Sequence, residues 1–153
     1  MQYLFFGLKS SKKVETELSP DRFNDLFMKK LDHELEKADY KKINKKPSER
    51  SFSGAIFRFI WNGWNLFNPI SKGTIELVTF KKSIYIRHKI YFFEFFVFSL
   101  LFSIIPIVGM FGELIYRFIA LAIIWMVYLI ITLLSGSRLI NMFNIIIDEI
   151  NNK

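Results

Sequence analysis

Few residues in this 153-residue chain could do chemistry, and they do not form a recognisable site. The two histidines, His33 and His88, are far apart in the sequence. Asp32, His33 and Glu34 are consecutive, so on a helix they point in different directions and make a poor metal site or catalytic triad. No cysteine is present, and the Walker, dinucleotide-binding, zinc-protease and nucleophile-elbow motifs are missing. We therefore predict no catalytic residue, no metal site, no cofactor and no enzymatic activity.

The charges and the apolar residues are concentrated in different halves of the chain. Hydrophobic residues make up 52% of the sequence, and the formal net charge is +7. Residues 1–90 hold 18 of the 21 Lys and Arg and 10 of the 14 Asp and Glu. This composition excludes a disordered polar tail and predicts a basic domain joined to a membrane segment.

Two apolar stretches, 91–111 and 114–134, are each long enough to cross a bilayer as a helix. Only Gly112 and Glu113 separate them, so they predict a two-helix transmembrane hairpin over 91–134, with Pro106 near its turn. Most flanking cations lie outside the turn, which predicts that both termini are cytosolic in a bacterial-type inner membrane. The N-terminus shows no signal-peptide pattern. The cations expected at the membrane surface are Lys81, Lys82, Arg87, Lys89 and Arg138.

Four polar residues lie inside the predicted spans, and polar groups are costly there. They are Glu94, Ser99, Ser103 and Arg117. In a hairpin that turns near Gly112, Glu94 and Arg117 lie near opposite faces of the bilayer and cannot form an ion pair. We expect both to reach water at the membrane surface, or Glu94 to serve an ion pathway in an oligomer. The serine spacing is typical of closely packed helices.

The cytosolic domain, residues 1–90, should contain an amphipathic helix from about Pro20 to Ala38. Ser19 and Pro20 form a helix-start signal, and apolar residues recur at three- and four-residue spacing after it. The helix must pack on a sheet, on another chain or on the membrane surface. Its mixed-sign polar face favours a protein partner over lipid.

Residues 41–50 form the densest basic patch, and Pro47 and Ser48 indicate a loop there. The basic residues are Lys41, Lys42, Lys45, Lys46 and Arg50. Such a patch is a solvated loop, a site for anionic lipid headgroups or a site for nucleic acid. Nucleic acid is the least favoured of these, because no nucleic-acid-binding motif accompanies the charge.

The remaining part of the domain predicts an antiparallel sheet. Residues 53–67 read as a hairpin around Asn62-Gly63 in preference to an interfacial helix. Strands should follow over 73–80 and 84–91, the second alternating between apolar and polar residues. The aromatic residues expected at the membrane interface are Trp61, Trp64, Tyr85 and Tyr91.

After Ser135-Gly136-Ser137, apolar residues repeat at helical spacing and predict a separate C-terminal amphipathic helix over 135–153. The predicted fold is thus a membrane α+β protein: a small cytosolic antiparallel sheet with one amphipathic helix, a two-helix transmembrane hairpin and a C-terminal helix. The leading hypothesis is a non-catalytic subunit or regulator of a membrane complex, with a protein partner or a homo-oligomer. The alternatives are an oligomeric pore-type effector with a cytosolic sensor domain, and a toxin immunity protein.

Overall fold

The computed structural model describes most of the chain: residues 2–4, 7–38, 40, 42–54, 70–81, 83–108 and 113–152. The strands in this part are β1 (Gln2–Leu4), β2 (Gly7–Val14), β3 (Lys42–Lys46), β4 (Glu49–Ser53), β5 (Lys72–Phe80) and β6 (Ser83–Tyr91). The helices are α1 (Pro20–Lys37), α2 (Phe93–Val108) and α3 (Leu114–Asn151).

The described strands form one antiparallel sheet in the order β1-β2-β6-β5-β4-β3. The predicted antiparallel sheet is confirmed, and β5 and β6 match the predicted strands to within one residue. Strands β1 to β4 were not predicted. The hairpin expected around Asn62-Gly63 lies outside the described residues.

One face of the sheet carries the core, and we call it the inner face. Along β6 the buried residues of this face, Ile84, Ile86, His88 and Ile90, alternate with exposed or half-buried residues. Helix α1 and the second half of α3 supply the opposing layer, with Phe27 and Phe143 in ring contact at 6.0 Å between centroids. The core is therefore a two-layer sandwich of sheet and helices.

Helix α1 has the predicted start and ends one residue before the predicted end. The carbonyl of Ser19 accepts the N–H of Phe23 at 2.9 Å, and Pro20 occupies the first turn. Phe23, Phe27 and Leu31 are fully buried against the chain's own core. The apolar stripe of α1 is thus satisfied within the domain.

The predicted basic loop is a β-hairpin formed by β3 and β4, with its turn at Pro47 and Ser48. Arg50 is only 8% exposed and binds Asp32 of α1 through two nitrogens, Nε to Oδ1 at 2.5 Å and Nη2 to Oδ2 at 3.2 Å. Its Nη1 also donates to the carbonyl of Glu49 at 3.0 Å. Pro47 and Ser48 form a turn as the sequence indicated, but the strands on either side of it were not predicted, and Arg50 ties the hairpin to α1.

Helix α3 runs without a break through Ser135-Gly136-Ser137, where the sequence predicted a loosened chain. A glycine inside a helix costs only about 1 kcal/mol relative to alanine, which the buried residues on either side can offset. The Ser135 hydroxyl donates to the carbonyl of Ile131 at 2.9 Å, so it is satisfied by the helix itself. The predicted C-terminal helix is therefore the second half of α3.

The clamp between Arg50 and Asp32 can be tested by the substitution Asp32→Asn. Removing the carboxylate leaves a buried guanidinium without its charge partner, and we expect the free energy of unfolding to fall by about 2 kcal/mol. Thermal unfolding of the detergent-solubilised chain measures this. The control is Glu36→Gln, which alters the exposed pair with Lys45 and should cost under about 0.5 kcal/mol. Equal effects of the two substitutions would contradict the clamp.

Candidate functional site: an apolar helical hairpin and the domain it carries

Helices α2 and α3 lie side by side and run in opposite directions. The rings of Phe95 and Tyr128 are stacked with centroids 5.4 Å apart. At the other end of α2, a guanidinium nitrogen of Arg117 donates to the carbonyl of Ile107 at 3.5 Å. The start of α2 is thus level with the middle of α3, and the chain returns toward the sheet from which it left.

The buried face of α2 includes two small residues. The buried residues of this helix are Phe95, Ser99, Ser103 and Pro106. The Ser99 hydroxyl donates to the carbonyl of Phe95 at 2.9 Å, and the Ser103 hydroxyl donates to that of Ser99 at 2.7 Å. Small side chains that bond to their own helix let two helices approach closely without unsatisfied polar groups. The two serines therefore lie on the packed face of α2.

The outer surface of the hairpin is almost entirely apolar. In α3 the most apolar 18-residue window has a mean hydropathy of 2.6, and only 6% of it is buried. The core helix of a soluble protein would be mostly buried. The large exposed hydrophobic residues include Phe102, Ile104, Ile107, Phe118, Ile123, Met126 and Leu129. Such a surface is typical of a helix pair that contacts lipid or another protein.

In the described part of the chain, α3 is the one helix long and apolar enough to cross a membrane. Its 38 residues extend about 57 Å at 1.5 Å per residue. Helix α2 has 16 residues and extends only about 24 Å. The prediction of two full transmembrane spans is therefore wrong for the described residues, which contain one helix of sufficient length and one shorter apolar helix beside it. The first predicted span began too early, since Tyr91 still belongs to β6, and residues 109–112 lie outside the described residues.

Glu94 and Arg117 lie at opposite ends of the hairpin. Glu94 is in the first turn of α2, beside the sheet, and is partly exposed. Arg117 is in the first turn of α3 and reaches the last turn of α2. The 13 residues between Glu94 and Ile107 correspond to about 20 Å along the helix.

The second half of α3 belongs to the core of the domain. Leu139, Phe143, Ile146, Ile147 and Ile150 form its buried stripe. Polar contacts flank this stripe. Lys12 of β2 donates to Asn144, and the Thr16 hydroxyl donates to Asn151 Oδ1 at 2.8 Å; Lys30 of α1 pairs with Glu149. One helix thus carries the apolar surface of the hairpin at one end and part of the domain core at the other.

His88 is buried in this core beside Phe143, with ring centroids 5.4 Å apart. It is 2% exposed, and neither ring nitrogen has a hydrogen-bond partner in the described part of the chain. Burial disfavours the charged imidazolium and lowers the pKa of His88 from 6.5 to about 4. The side chain is therefore a neutral member of the core at physiological pH. The other histidine, His33, is exposed on α1.

The lowered pKa of His88 predicts a loss of stability in mild acid. Above pH 6.5 the His88 side chain is neutral in both the folded and the unfolded chain. As the pH falls toward about 4, only the unfolded chain gains a proton at this position. The free energy of unfolding therefore falls by up to about 3 kcal/mol. Between pH 7 and pH 4.5 we expect the melting temperature of His88→Leu to fall less than that of the wild type. The exposed control His33→Gln should keep the wild-type slope. A wild-type slope in His88→Leu would show that other groups cause the acid sensitivity.

The predicted membrane-surface cations lie at different ends of the domain. Arg87 and Lys89 are exposed on the outer face of the sheet. Arg138 is exposed on α3, just beyond its most apolar part. Lys81 lies in the turn before β6, which places it about 30 Å from α2 by the length of that strand. Its φ angle is 46°, a positive value of the kind that tight hairpin turns require. Lys82 lies outside the described residues.

The cations of the basic hairpin are mostly paired within the domain. Lys45 binds Glu36 at 3.0 Å, and this hydrogen bond raises the pKa of Lys45. Lys46 binds Glu49 at 3.0 Å, and this bond lowers the pKa of Glu49. Lys42 is exposed at the start of β3, and Lys41 lies outside the described residues. The hairpin therefore carries less free positive charge than its sequence indicates.

Of the predicted interfacial aromatic residues, Tyr85 and Tyr91 are half-buried on the outer face of the sheet. Tyr91 lies in β6, two residues before α2 begins. Trp61 and Trp64 lie outside the described residues. Lys9 and Lys72, which no cluster in the sequence singled out, are exposed on the same face. Lys72 lies one residue before the strand predicted over 73–80, and only the pairing of the strands shows its neighbours.

An open groove of about 660 Å³ lies between α1 and the second half of α3. Its apolar lining residues include Leu26, Met142 and Ile145, and Ile145 is 51% exposed. Charged residues of both signs surround them, among them Lys29, Glu34 and Arg138. His33 also lines the groove. No group of three or more metal-ligating side chains occurs among the described residues.

Comparison of the chain with protein-family models, with curated proteins and with solved structures gave no significant match.

Proposed function

We propose that this chain is a two-pass protein of a bacterial-type inner membrane whose cytosolic domain acts as a non-catalytic subunit or regulator of a membrane complex. The observation that carries the proposal is the continuity of α3. Its first half exposes an apolar surface, and its second half is part of the domain core. A domain joined to its anchor by an unbroken helix keeps a fixed position at the membrane surface. That is the property a positioned subunit needs.

The contact between α2 and α3 supports insertion of both helices. Hydrocarbon that surrounds the apolar half of α3 also surrounds α2, because Phe95 packs beside Tyr128 and Ile107 lies beside Arg117. Helices satisfy their own backbone hydrogen bonds, as a lipid environment requires. Insertion as a hairpin keeps both ends of the chain on one side.

The distribution of cations supports a cytosolic domain. Residues 1–90 hold 18 of the 21 Lys and Arg, and Arg138 follows the apolar part of α3. The far end of the hairpin has Arg117 alone, with Glu113 nearby. Cytosolic segments of inner-membrane proteins carry the excess of Lys and Arg.

The groove between α1 and α3 is the surface we assign to a protein partner. Ile145 is exposed there among charged residues of both signs, and its position on α3 is fixed relative to the hairpin. An apolar centre with a polar rim is the usual composition of a protein interface. The buried positions of Ser99 and Ser103 do not favour a pore, since they leave no outward row of hydroxyls on α2.

The topology can be tested with engineered thiols, because the natural chain has no cysteine. Glu113→Cys marks the turn of the hairpin, and Asp148→Cys marks the exposed end of α3. We expect a membrane-impermeant maleimide to label Glu113→Cys in spheroplasts and to label Asp148→Cys only in inverted vesicles. Labelling of both thiols from one side would contradict a crossing hairpin, and the opposite pattern would contradict a cytosolic domain.

The subunit hypothesis is tested by the mass of the particle after gentle extraction of the tagged chain at native expression. We expect a particle that contains a second protein, and tagging that protein should recover this chain. Ile145→Glu in the groove should lose the partner, whereas Phe80→Glu, an equally exposed site at the far end of the sheet, should keep it. A monomeric chain would overturn the proposal. A homo-oligomer without other proteins would favour the pore-type alternative.

A further inference from the structure

The outer face of the sheet has an unusual surface. Both described helices of the domain, α1 and the second half of α3, pack on the inner face. On the outer face of β2 to β6 many of the alternate residues are polar or charged and exposed, such as Lys9, Lys72 and Arg87, whereas Val78, Phe80, Tyr85 and Tyr91 are apolar or aromatic. Seven cations and two carboxylates lie on this face in the described strands. They are Lys9, Lys13, Lys42, Lys46, Lys72, Arg87 and Lys89, with Glu49 and Glu76.

The strand register distributes these charges unevenly along the strands. We call residues that lie opposite one another across neighbouring strands a row. Four of the charges form one row, in which Arg87 lies opposite Glu76, Glu76 opposite Glu49, and Glu49 opposite Lys46. This row has no net charge, because Arg87 and Lys46 lie opposite the two carboxylates and offset the repulsion between Glu76 and Glu49. It lies about 13 Å from the end of β6 at which α2 begins.

In the two rows nearest α2, every charged residue is a cation. In the last row Tyr91 lies opposite Lys72, Lys72 opposite Ser53, and Ser53 opposite Lys42. In the next row Lys9 lies opposite Lys89, and uncharged residues follow across β5, β4 and β3. Four ammonium groups lie in these two rows without a carboxylate in either, and Glu94 in the first turn of α2 is the one acidic residue of that helix, so cations still outnumber carboxylates and the field at this end of the sheet is positive.

An open groove of about 650 Å³ lies across these rows. Lys42, Asn44, Ser51, Ser53, Lys72 and Tyr91 are among the residues that line it. Ammonium groups, hydroxyls and an amide are the donors that bind phosphate oxygens. The Ser51 hydroxyl is not one of these donors, because its one proton is donated to a carboxylate oxygen of Glu49 at 3.0 Å; Lys46 binds the same carboxylate.

Tyr91 holds two of the cations in place. The ammonium nitrogen of Lys72 lies 5.0 Å from the centroid of the Tyr91 ring, and that of Lys89 lies 5.1 Å from it. Both distances are within the range of cation–π attraction. The ring therefore keeps two long side chains near the same point of the surface and reduces the entropy lost on binding an anion.

The groove is fixed relative to the apolar helices. The Ser71 hydroxyl donates to the carbonyl of Tyr91 at 2.9 Å and accepts the N–H of Phe93 at 3.2 Å, where α2 begins. The headgroup layer of a bilayer is roughly 6 Å thick on each side. By the rise of a strand, the row of Tyr91, Lys72 and Lys42 lies about 7 Å from Phe93, and the row of Lys9 and Lys89 lies about 13 Å from it. If α2 and α3 enter the hydrocarbon, the first of these rows lies at the depth of the headgroups and the second lies just outside them.

We propose that this groove binds the phosphate of an anionic phospholipid headgroup from the adjacent leaflet, with Lys42 and Lys72 as the principal phosphate ligands. The inference rests on the membrane insertion proposed above. It commits to a lipid because the charge is complementary to anionic headgroups and the site directly adjoins the apolar helices. A nucleic acid would not require the cations to be concentrated beside the hairpin.

The experiment is native mass spectrometry of the full chain in detergent, titrated with phosphatidylglycerol or with phosphatidylcholine of the same acyl chains. We expect the wild type to bind phosphatidylglycerol at least tenfold more tightly than phosphatidylcholine. The double variant Lys42→Gln with Lys72→Gln should lose most of this preference. The matched control, Lys13→Gln with Lys81→Gln, removes two charges from the far end of the sheet and should stay within twofold of the wild type.

Three outcomes would overturn the assignment. The first is an equal loss of the phosphatidylglycerol preference in both double variants, which indicates a non-specific charge effect. The second is no loss of that preference in either double variant. The third is displacement of the lipid by an equal concentration of inorganic phosphate, which indicates a site for free anions. Resistance of each variant to alkaline extraction from membranes is measured in parallel. Wild-type protein that is extracted would refute the proposed membrane function itself, whereas retained protein without a lipid preference would refute only this inference.

Discussion

The structure depends on one helix that meets two different environments. Over its first half α3 exposes isoleucine, leucine, methionine and phenylalanine, whereas over its second half a stripe of similar residues is buried under the sheet. A continuous backbone hydrogen-bond ladder joins the halves, so the position of Phe143 in the core fixes the direction in which the apolar half leaves the domain. The orientation of the hairpin follows from core packing and requires no separate hinge.

A second connection makes this arrangement stiff. Strand β6 leads into α2 at Phe92, which is buried, and Ser71 ties this junction to the neighbouring strand. The domain is therefore attached to the hairpin through both α2 and α3, and these helices pack against each other. Two attachments prevent the domain from rotating about either one. A change at the surface of the domain can thus reach the hairpin only through a shift of packed helices, which is one form that allosteric transitions take.

The periodicity of apolar residues predicted the helices and strands in which one face is strongly apolar. The spacing of Phe23, Phe27 and Leu31 gave α1, and the alternation of β6 gave a half-buried strand. Strand β2 was missed because its inward positions include Ser10 and Lys12, and Lys12 bonds to Asn144 of α3 instead of entering an apolar core. The break at Ser135-Gly136-Ser137 was wrongly predicted because local propensity was weighed without the packing that overrides it.

The candidate lipid site could not be predicted for a different reason. The densest run of cations in the sequence is 41–50, yet Arg50, Lys45 and Lys46 of that run pair with carboxylates of the domain. The cations that cluster beside the hairpin are Lys9, Lys42, Lys72 and Lys89, which come from four strands. In an antiparallel sheet the register decides which charges are neighbours, and residues 80 positions apart can face each other, as Lys9 and Lys89 do. Charge density along the chain is therefore a poor guide to charge density on the surface, and the positive field at the end of this sheet where α2 begins is a property of strand pairing.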